Sequence, residues 1–523
     1  MTHIIPKPLY CNTTGGTVPF GAETVFSGDF EEIFQVLREF MPKTGGGNKI
    51  IFVKDTFLEK EEYRIECGEK DITVFAADKS GAFYAVMSLI QLNMGRKSLP
   101  RVIISDKPRF YHRGFMLDCS RHFWTVEKIK KILDFMALLK MNVFHWHLSD
   151  DQGWRIEIEK YPLLTEKGAV RRVTDLNKNC SGHYAPQTVG TEYGRGLFYT
   201  KAQARDIVDY AAKRFIKVIP EIDMPGHMSA AIACYPELSC TGEKIEVPDE
   251  WGVLKNLGCP GKQALYTFAR DIIDELCEIF PSEYFHIGGD EVLTEPWESC
   301  PDCQHLMKEK KLESPRDIQG YFNGVIADYL AQKGKVLVGW NEILNSNFAA
   351  PDKMVGQWWV DSGTETEREW LKNGGQIILS FLDYMYMDHP YSARTLEKTY
   401  SFEPELLGVP EGAHILGIEI PQWTEHIRTE EKLDLYTNVR LLAAAEISWT
   451  AKEEKDYKDF EERVEKLRNP LKALGIKTAP HEFYSGRAYT DNPNGHISEI
   501  WDLWHADPDF EMKCLKNKNE AEI

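Results

Sequence analysis

The sequence has no apolar run long enough to cross a membrane, and it has too few basic residues to balance its acids. A membrane helix needs about 20 consecutive, mostly apolar residues, and no segment of the 523 residues approaches that length. The 81 acidic residues outnumber the 62 lysines and arginines, which gives a net charge of −19. Nucleic acids and anionic membrane surfaces attract basic proteins, so the composition argues against both as partners.

The sequence also lacks the usual marks of secretion. Residues 1–8 contain no basic segment followed by an apolar stretch, which predicts no signal peptide and a cytoplasmic location. A chain whose leader had been removed would look the same. The 11 cysteines are odd in number and scattered, which favours reduced thiols over a disulfide framework. The hydrophobic fraction of 43% predicts a well-packed globular protein.

Residues 1–107 are predicted to form a small α/β domain. Runs of β-branched and aromatic residues at 50–53 and 72–77 indicate strands. Residues 80–92 carry apolar side chains at helical spacing, which indicates an amphipathic helix. No residue of this part suggests a reaction site.

From about residue 111 onward, short apolar runs alternate with amphipathic stretches. The predicted strands cover residues 114–118, 143–147, 217–222, 284–287, 336–340, 354–359, 376–380 and 414–419. The clearest predicted helices cover residues 126–139, 201–214, 264–279 and 318–332. Eight strands that alternate with helices fit a (β/α)8 TIM barrel, which we predict for residues 108–470. Residues 471–523 are predicted to form a C-terminal extension that packs on this barrel.

Polar and aromatic side chains gather just after the predicted strands. In (β/α)8 barrels the active site lies at the C-terminal ends of the strands, so the pattern predicts one convergent site. An alternative is that each polar residue caps the next helix, which explains one or two of them but not the whole set. The residues are Asp118, His147, Asp150, Glu221, Asp223, Asp290, Glu291, Trp340, Glu342 and Trp359.

Asp290 and Glu291 are the most informative pair in the chain. They follow a predicted buried strand, and Gly288 and Gly289 let the backbone turn between that strand and the two acids. Both carboxylates can then face one cleft, where they push each other's pKa values apart and one stays protonated as a general acid. The structural alternative is an N-cap pair that opens the next helix.

Tryptophans are dense near the predicted strand ends, at Trp340, Trp358, Trp359 and Trp423. Core packing is the usual role of a tryptophan, but several at the mouth of a barrel suggest walls for a sugar ring. The C–H face of a sugar stacks on aromatic planes, while its hydroxyls bond to acidic and basic side chains. Candidate polar partners are Arg121, Asp150, Asp388 and Glu425.

A metal site is the main rival hypothesis. His145 and His147 alternate on one face of a predicted strand, and His227 and Asp290 could complete a ligand set. Against it, Asp150 follows closely, and a carboxylate can simply orient a histidine. His227 itself is read equally well as a buried structural histidine or as a partner of the acids.

A second rival concerns Cys300 and Cys303, which form a Cys-x-x-Cys segment with His305 close by. Such a segment can hold zinc, but no second Cys-x-x-Cys accompanies it. The favoured interpretation is therefore two surface thiols on a loop, and we predict no metal.

Several segments together resemble the motifs of the family-20 glycoside hydrolases, the β-N-acetylhexosaminidases. The resemblance spans about residues 60–450. In chain order the matching segments are RGFMLD at 113–118, SRHF at 120–123, HWHLSDDQGWR at 145–155, PEIDMPGH at 220–227, HIGGDE at 286–291, GWNE at 339–342 and PQWTE at 421–425. The resemblance implies a small α/β domain before a barrel, an exo-acting retaining enzyme that removes terminal β-linked GlcNAc or GalNAc, and no cofactor.

The resemblance also implies distinct roles for the two acids. Glu291 is expected to be the general acid and later the general base. Asp290 is expected to hold the N–H of the substrate's 2-acetamido group. The carbonyl of that group attacks the anomeric carbon and forms an oxazolinium intermediate, so that neither acid has to be a nucleophile.

The matching motifs imply a set of substrate-binding residues: Arg121, Asp150, His227, Trp340, Trp359, Tyr386, Asp388, Trp423 and Glu425. Asp150 and His227 are expected to orient Glu291, and Tyr386 is expected to touch the acetamido oxygen. The segment 182–196 is expected to shape the leaving-group side. Whether Trp358 or Trp359 lines the acetamido pocket stays open here. So does the choice between GlcNAc and GalNAc, and a homodimer is possible.

A sugar-binding protein without turnover is the third hypothesis. It is disfavoured because a binding protein has no need of two adjacent acids.

Overall fold

The computed structural model describes residues 3–173, 176, 192–250, 252–361, 365–391 and 393–485. It contains a small N-terminal α/β domain and a closed barrel of eight parallel strands. The predicted fold class is therefore confirmed.

The N-terminal domain is a six-stranded mixed sheet that packs on the helix Lys79–Asn93. Its strands, in sheet order, are Tyr10–Val18, Leu99–Asp106, Tyr63–Cys67, Asp71–Ala76, Lys49–Lys54 and Val25–Gly28. A 3-10 turn, Glu31–Ile33, and the helix Phe34–Phe40 complete it. The sequence indicated two of the six strands. The edge strand Tyr10–Val18 gave no apolar signal because its side chains are mostly exposed and it contains Gly15 and Gly16.

The barrel strands are numbered 1 to 8 in chain order, and each pairs in parallel with its neighbours in sequence, strand 8 closing on strand 1. They are His112–Asp118, Val143–His147, Lys217–Glu221, Tyr284–His286, Val336–Trp340, Met354–Trp358, Gln376–Leu379 and Ile415–Gln422. Nearly every residue in them is buried, as expected for strands with helices outside and a filled interior. A short hairpin, Ser149–Asp150 with Gly153–Trp154, follows strand 2.

Amphipathic helices surround the barrel, and several begin at a residue that caps the first turn. Thr200 and Ser314 each form a capping box with the residue three positions on, and Thr125 and Thr429 accept a backbone N–H in the same way. The helices are Val126–Leu138, Leu163–Glu166, Lys201–Ala212, Ser229–Cys234, Gln263–Cys277, Glu295–Ser299, Pro301–Lys310, Pro315–Gln332, Thr366–Lys372, Leu382–Met385, Leu396–Tyr400, Glu430–Trp449, Tyr457–Ala473 and His481–Tyr484. The 3-10 turns are Pro236–Leu238, Asn341–Leu344, Pro404–Leu407 and Lys452–Glu454.

The N-terminal domain packs against the end of the barrel where the strands begin. Lys140, just before strand 2, pairs with Asp106 at 2.9 Å, and both side chains are fully buried. Arg113, at the start of strand 1, pairs with Glu61 at 2.8 Å. The opposite end of the barrel, where the strands finish, is left for the loops. We call this end the barrel mouth.

The chain after the barrel packs back on it. The predicted boundary at residue 470 falls inside the helix Tyr457–Ala473, whose Arg463 bonds the Ile4 carbonyl at 2.9 Å and pairs with Glu446. Residues 486–523 of the predicted C-terminal extension lie outside the described residues, and so do most of residues 182–196. Among the helices that are described, none is both long enough and apolar enough to span a bilayer.

Candidate active site

The loop after barrel strand 4 turns sharply to present Asp290 and Glu291. Gly288 and Gly289 have φ values of 65° and 90°, and Glu291 itself has φ 53°. A Cβ on Gly288 would lie 2.0 Å from an Asp223 carboxylate oxygen, so only glycine fits there. The Gly289 N–H donates to the same Asp223 oxygen at 3.1 Å, which fixes the turn.

Both acids face one histidine. The His227 Nε2 atom lies 3.5 Å from a Glu291 carboxylate oxygen and 3.9 Å from an Asp290 oxygen. The Asp290 side chain is 10% exposed and that of Glu291 is 34% exposed. The two carboxylates therefore share one site, with Asp290 at its base and Glu291 nearer to solvent.

The surroundings of Asp290 favour its neutral, protonated form as long as no hydrogen-bond donor contacts the carboxyl group. Burial raises the pKa of Asp290 to about 8; His227 opposes this rise, while Glu342 and Glu291 add to it. Its Oδ1 atom is buried and, among the described residues, has no hydrogen-bond partner. A buried carboxylate oxygen without a donor is poised to accept one from a bound molecule.

His227 connects the acid pair to two further carboxylates. Its Nδ1 atom lies 3.2 Å from an Asp150 oxygen and 3.1 Å from an Asp151 oxygen. Burial lowers the pKa of His227, but Asp150, Asp151 and Glu291 together raise it well above its ordinary value. A protonated His227 places a positive charge beside both acids of the pair.

A string of alternating acids and histidines runs through the barrel interior below the acid pair. We call Glu419, His145, Glu221, His147 and Asp150 the polar string. His145 lies 2.7 Å from Glu419 and 3.0 Å from Glu221, and His147 lies 2.8 Å from Asp150 and also contacts Glu221. Every member is at most 1% exposed. Buried charges of this kind persist only when they are paired.

The polar string changes how the histidines of the metal hypothesis are interpreted. His145, His147, His227 and Asp290 do not form one ligand set among the described residues. His145 groups with Glu221 and His286, whereas His227 groups with Asp223 and Asp290. His147 has a carboxylate on each ring nitrogen. The two strand histidines therefore serve as partners of acids.

The polar string predicts that the protein loses stability as the pH rises. Burial lowers the pKa of His145, but Glu419 and Glu221 outweigh burial and raise it to about 9 from an ordinary 6.5. A raised folded-state pKa gives stability that is complete below pH 6.5 and is lost as the pH approaches 9. For His145 this loss in the free energy of unfolding is on the order of 3 kcal/mol.

Urea unfolding at pH 6 and pH 9.5 measures this loss, with His145→Gln and His305→Gln as the compared variants. His305 is a matched control because its side chain is 80% exposed. We expect the wild type and His305→Gln to lose the same stability over this range, and His145→Gln to lose less. An equal loss of unfolding free energy in all three proteins would contradict the raised pKa of His145.

Four aromatic side chains form a cup beside Asp290. We call Trp340, Trp359, Tyr386 and Trp423 the aromatic cup. Trp359 and Tyr386 are stacked with ring centroids 5.9 Å apart, and Trp340 lies 5.6 Å from Trp423. The Trp359 indole N–H donates to Glu342 at 2.9 Å, and the Trp340 indole N–H donates to Glu221 at 3.0 Å. These bonds fix the orientation of two of the four rings.

Trp359, and not Trp358, belongs to the aromatic cup. Trp358 is fully buried, donates its indole N–H to the Val360 carbonyl, and has the Arg368 guanidinium over its ring. Of the two tryptophans, only Trp359 is placed to face a molecule bound beside Asp290, and its role as a wall of an acetamido pocket stays a prediction.

Arg121 closes one side of the site. Its guanidinium pairs with Asp150 at 2.7 Å, Asp118 at 3.3 Å and Glu425 at 3.4 Å, and it lies 5.0 Å from the centre of the Trp423 ring. Asp150 therefore contacts both Arg121 and His227, and so joins this side to the acid pair.

Asp388 adds a second buried carboxylate to the site. Burial raises the pKa of Asp388 to about 7, with a further rise from Glu425. Its Oδ1 atom is buried without a hydrogen-bond partner among the described residues. Like Asp290, it can accept a hydrogen bond from a bound molecule.

The structure brings all eleven predicted site residues to the barrel mouth, and three further acids support them there, of which Asp223 and Glu342 were already among the polar residues expected after the strands. Asp151 bonds His227 and the Ser229 N–H, Asp223 fixes the glycine turn, and Glu342 holds Trp359. The sequence signal for Asp223 and Glu342 was their position just after strands 3 and 5. Asp151 could not be recognised as a site residue from its position next to Asp150, because the side chains of adjacent residues near a strand end point in different directions.

Comparison with protein families gives two matches along the chain. The catalytic domain of glycosyl hydrolase family 20 matches residues 110–452, and domain 2 of the same family matches residues 1–107. A β-hexosaminidase of Porphyromonas gingivalis is 38% identical over an alignment of 455 residues that covers 82% of this chain and 56% of that protein. The chain thus spans a little over half the length of that relative.

Solved structures of β-N-acetylhexosaminidases also resemble this chain. A β-N-acetylhexosaminidase from Bacteroides fragilis superposes with a TM-score of 0.80 at 32% identity, covering 91% of this chain and 97% of that one. The exo β-N-acetylglucosaminidase from Vibrio harveyi, solved in complex with N-acetylglucosamine, gives a TM-score of 0.79 at 30% identity, covering 92% of this chain and 78% of that one.

Proposed function

The chain belongs to glycosyl hydrolase family 20, and from this membership and the geometry of the barrel mouth we propose that it is an exo-acting β-N-acetylhexosaminidase. It would remove terminal, non-reducing β-linked GlcNAc or GalNAc from oligosaccharides or glycoconjugates with retention of configuration. The observation that carries the proposal is the pairing of Asp290, whose Oδ1 atom has no partner among the described residues, with an aromatic cup and a more exposed Glu291.

In the proposed reaction the acetamido group of the substrate is the nucleophile. Its carbonyl oxygen attacks the anomeric carbon, the bond to the leaving oxygen breaks, and Glu291 gives that oxygen its proton. Asp290 accepts the acetamido N–H and offsets the positive charge that develops on the amide. The buried position of Asp290 supports this role because electrostatic stabilisation is strongest where water is excluded.

The second half of the reaction uses the same groups in reverse. Ionised Glu291 takes a proton from water, which attacks the anomeric carbon and reopens the oxazolinium ring. The His227 Nε2 atom, 3.5 Å from a Glu291 oxygen, would help to orient the Glu291 carboxylate at this stage. The neutral form of Asp290 that burial favours in the free protein would give way to the carboxylate once the acetamido N–H is in place.

The aromatic cup and the charged side of the site support recognition of one terminal sugar. The cup offers planes for the acetamido methyl group and the ring. Arg121, Glu425 and Asp388 offer a cation and two carboxylates to hydroxyls on the far edge of the sugar. A chain extended past that edge would meet the Arg121 network, which favours action at chain ends.

A panel of 4-nitrophenyl β-glycosides tests the proposal. We expect activity on the β-GlcNAc or β-GalNAc glycoside and at least about 10³-fold less on the β-glucoside, which lacks the internal nucleophile. Fluorination of the acetamido methyl group should lower kcat stepwise because it weakens the carbonyl nucleophile. The thiazoline mimic of the oxazolinium should inhibit competitively. A kcat indifferent to fluorination would contradict substrate assistance, and inactivity on both amino sugars would contradict the function.

A further inference from the structure

Four cysteines from two neighbouring loops meet behind the acid pair. Cys240 and Cys259 lie on the loop after barrel strand 3, and Cys300 and Cys303 lie on the loop and helix after barrel strand 4. We call these four residues the cysteine cluster. All four Sγ atoms lie within 4.8 Å of one another. The Sγ of Cys259 is 3.5 Å from that of Cys303 and 3.7 Å from that of Cys300, and Cys240 is 3.9 Å from Cys303.

These separations match the edges of a small tetrahedron. With zinc–sulfur bonds of about 2.3 Å, two thiolates of a tetrahedral zinc site are about 3.8 Å apart. A disulfide bond needs about 2.05 Å between its sulfurs and pairs the cysteines two by two. Cys259 is instead nearly equidistant from two partners, so the cluster favours no pairing. Iron–sulfur clusters place several iron and sulfide ions between their cysteines, and these thiols are too close together for that.

The surroundings of the cysteine cluster are those of a closed structural site. Cys259 and Cys303 are fully buried, Cys300 is 4% exposed, and Cys240, at the edge of the cluster, is half-buried. Apolar side chains enclose them, namely Leu257, Val292, Trp297, Leu306 and Ile318. The interpretation of Cys300 and Cys303 as surface thiols is therefore wrong. His305 does not belong to the cysteine cluster, because its side chain is 80% exposed and faces Glu309.

The backbone around the cysteine cluster also suits a charged metal site. Gly261 lies against the peptide between Asp302 and Cys303, where a Cβ would come within 2.3 Å of a backbone carbon. This close approach places the Gly261 backbone directly beside Cys303. The Lys262 ammonium bonds the carbonyls of Ser239 and Cys240 at 2.6 and 3.2 Å. A cation this close offsets part of the negative charge that four thiolates would carry.

We propose that Cys240, Cys259, Cys300 and Cys303 bind one structural zinc ion as four thiolates. Binding would release the four thiol protons and leave no open position on the metal. The reduced state of the thiols that the scattered cysteine pattern predicts is the state such a site requires. The metal would then link the two cysteines of one loop to the two of the other, with no disulfide among the four.

The zinc site would join the two loops that carry the catalytic groups. Val292, directly after Glu291, packs in the same apolar shell as the cysteines. Gly258, directly before Cys259, donates its N–H to the Pro225 carbonyl at 2.8 Å and accepts the Trp297 indole N–H at 3.0 Å. Pro225 lies on the loop that carries His227. The metal would thus fix the positions of Glu291 and His227 relative to each other without itself contacting the substrate.

Elemental analysis of the purified full chain tests the proposal. Protein prepared from zinc-supplied cells in reducing buffer should contain about one zinc per chain. Native mass spectrometry should show the mass of the chain plus one zinc minus the displaced protons. Cobalt substituted for zinc should show the intense visible bands of a tetrahedral tetrathiolate. These measurements use the wild type and do not depend on the folding of any variant.

Variants then locate the ion. Cys259→Ser and Cys303→Ser should lose most of the zinc, while Cys277→Ser, on the helix Gln263–Cys277 outside the cluster, should keep about one equivalent. The proposal would be overturned by wild-type protein that contains no metal and binds no cobalt, by two disulfides among these four cysteines, or by a single iron in place of zinc. None of these readouts uses activity, so the outcome is separate from that of the proposed function.

Discussion

Glu291→Gln should lower kcat about 10²- to 10⁴-fold, the range of a general acid–base group. Glutamine keeps the shape of the side chain but has no proton to give to the leaving oxygen. The loss should therefore be largest for a disaccharide, whose sugar oxygen must be protonated, and smaller for a 4-nitrophenyl glycoside, whose leaving group departs as a stable anion. Steady-state kinetics on both substrates measure the difference.

Glu298→Gln is the matched control for this prediction. Glu298 is exposed on the helix Glu295–Ser299, which follows Glu291 on the same loop, and the substitution makes the same change of charge. It should leave kcat and KM unchanged. If Glu291→Gln lowered kcat/KM, which reports the steps up to departure of the leaving group, by one common factor for both substrates, Glu291 would not be acting as the acid.

Asp290→Ala should lower kcat about 10³-fold or more, as expected when a group that stabilises developing charge is removed. The alanine variant loses the acceptor of the acetamido N–H, so the carbonyl is neither oriented nor made more nucleophilic. Added azide should not restore activity by forming a glycosyl azide, because the reaction has no nucleophile on the protein to replace. Product analysis by NMR detects such an azide directly.

Asp352→Ala is the control for Asp290→Ala, since Asp352 is an exposed aspartate on a turn away from the mouth. It should retain full activity. A covalent glycosyl-enzyme on Asp290 or Glu291, trapped and located by mass spectrometry, would refute the substrate-assisted mechanism for this chain.

The barrel and the acid pair could be predicted from the sequence because their signals are local. Seven of the eight barrel strands are short, mostly apolar runs that end in a polar or aromatic residue, and Gly288 and Gly289 indicate the turn before Asp290. The resemblance to a known family added the roles. These roles, the cytoplasmic location and the homodimer stay predictions.

Contacts between distant segments could not be predicted in this way. The cysteine cluster joins Cys240 and Cys259, which have no Cys-x-x-Cys spacing, to Cys300 and Cys303, and only the folded loops bring them together. The pairing within the polar string was likewise not predicted, because Glu419, which lies in the middle of strand 8, was not among the candidate residues. Pairing of this kind depends on which strands are neighbours in the barrel.

The polar string gives the barrel an interior that differs from hydrocarbon in its thermodynamics. Unfolding hydrates apolar surface with a gain in heat capacity and polar surface with a decrease. Unfolding a barrel whose centre holds ionised carboxylates and imidazoles therefore exposes less apolar surface and more polar surface than unfolding a barrel with an apolar centre. Its heat-capacity increment should therefore be somewhat smaller than that of a barrel of the same size with an apolar centre.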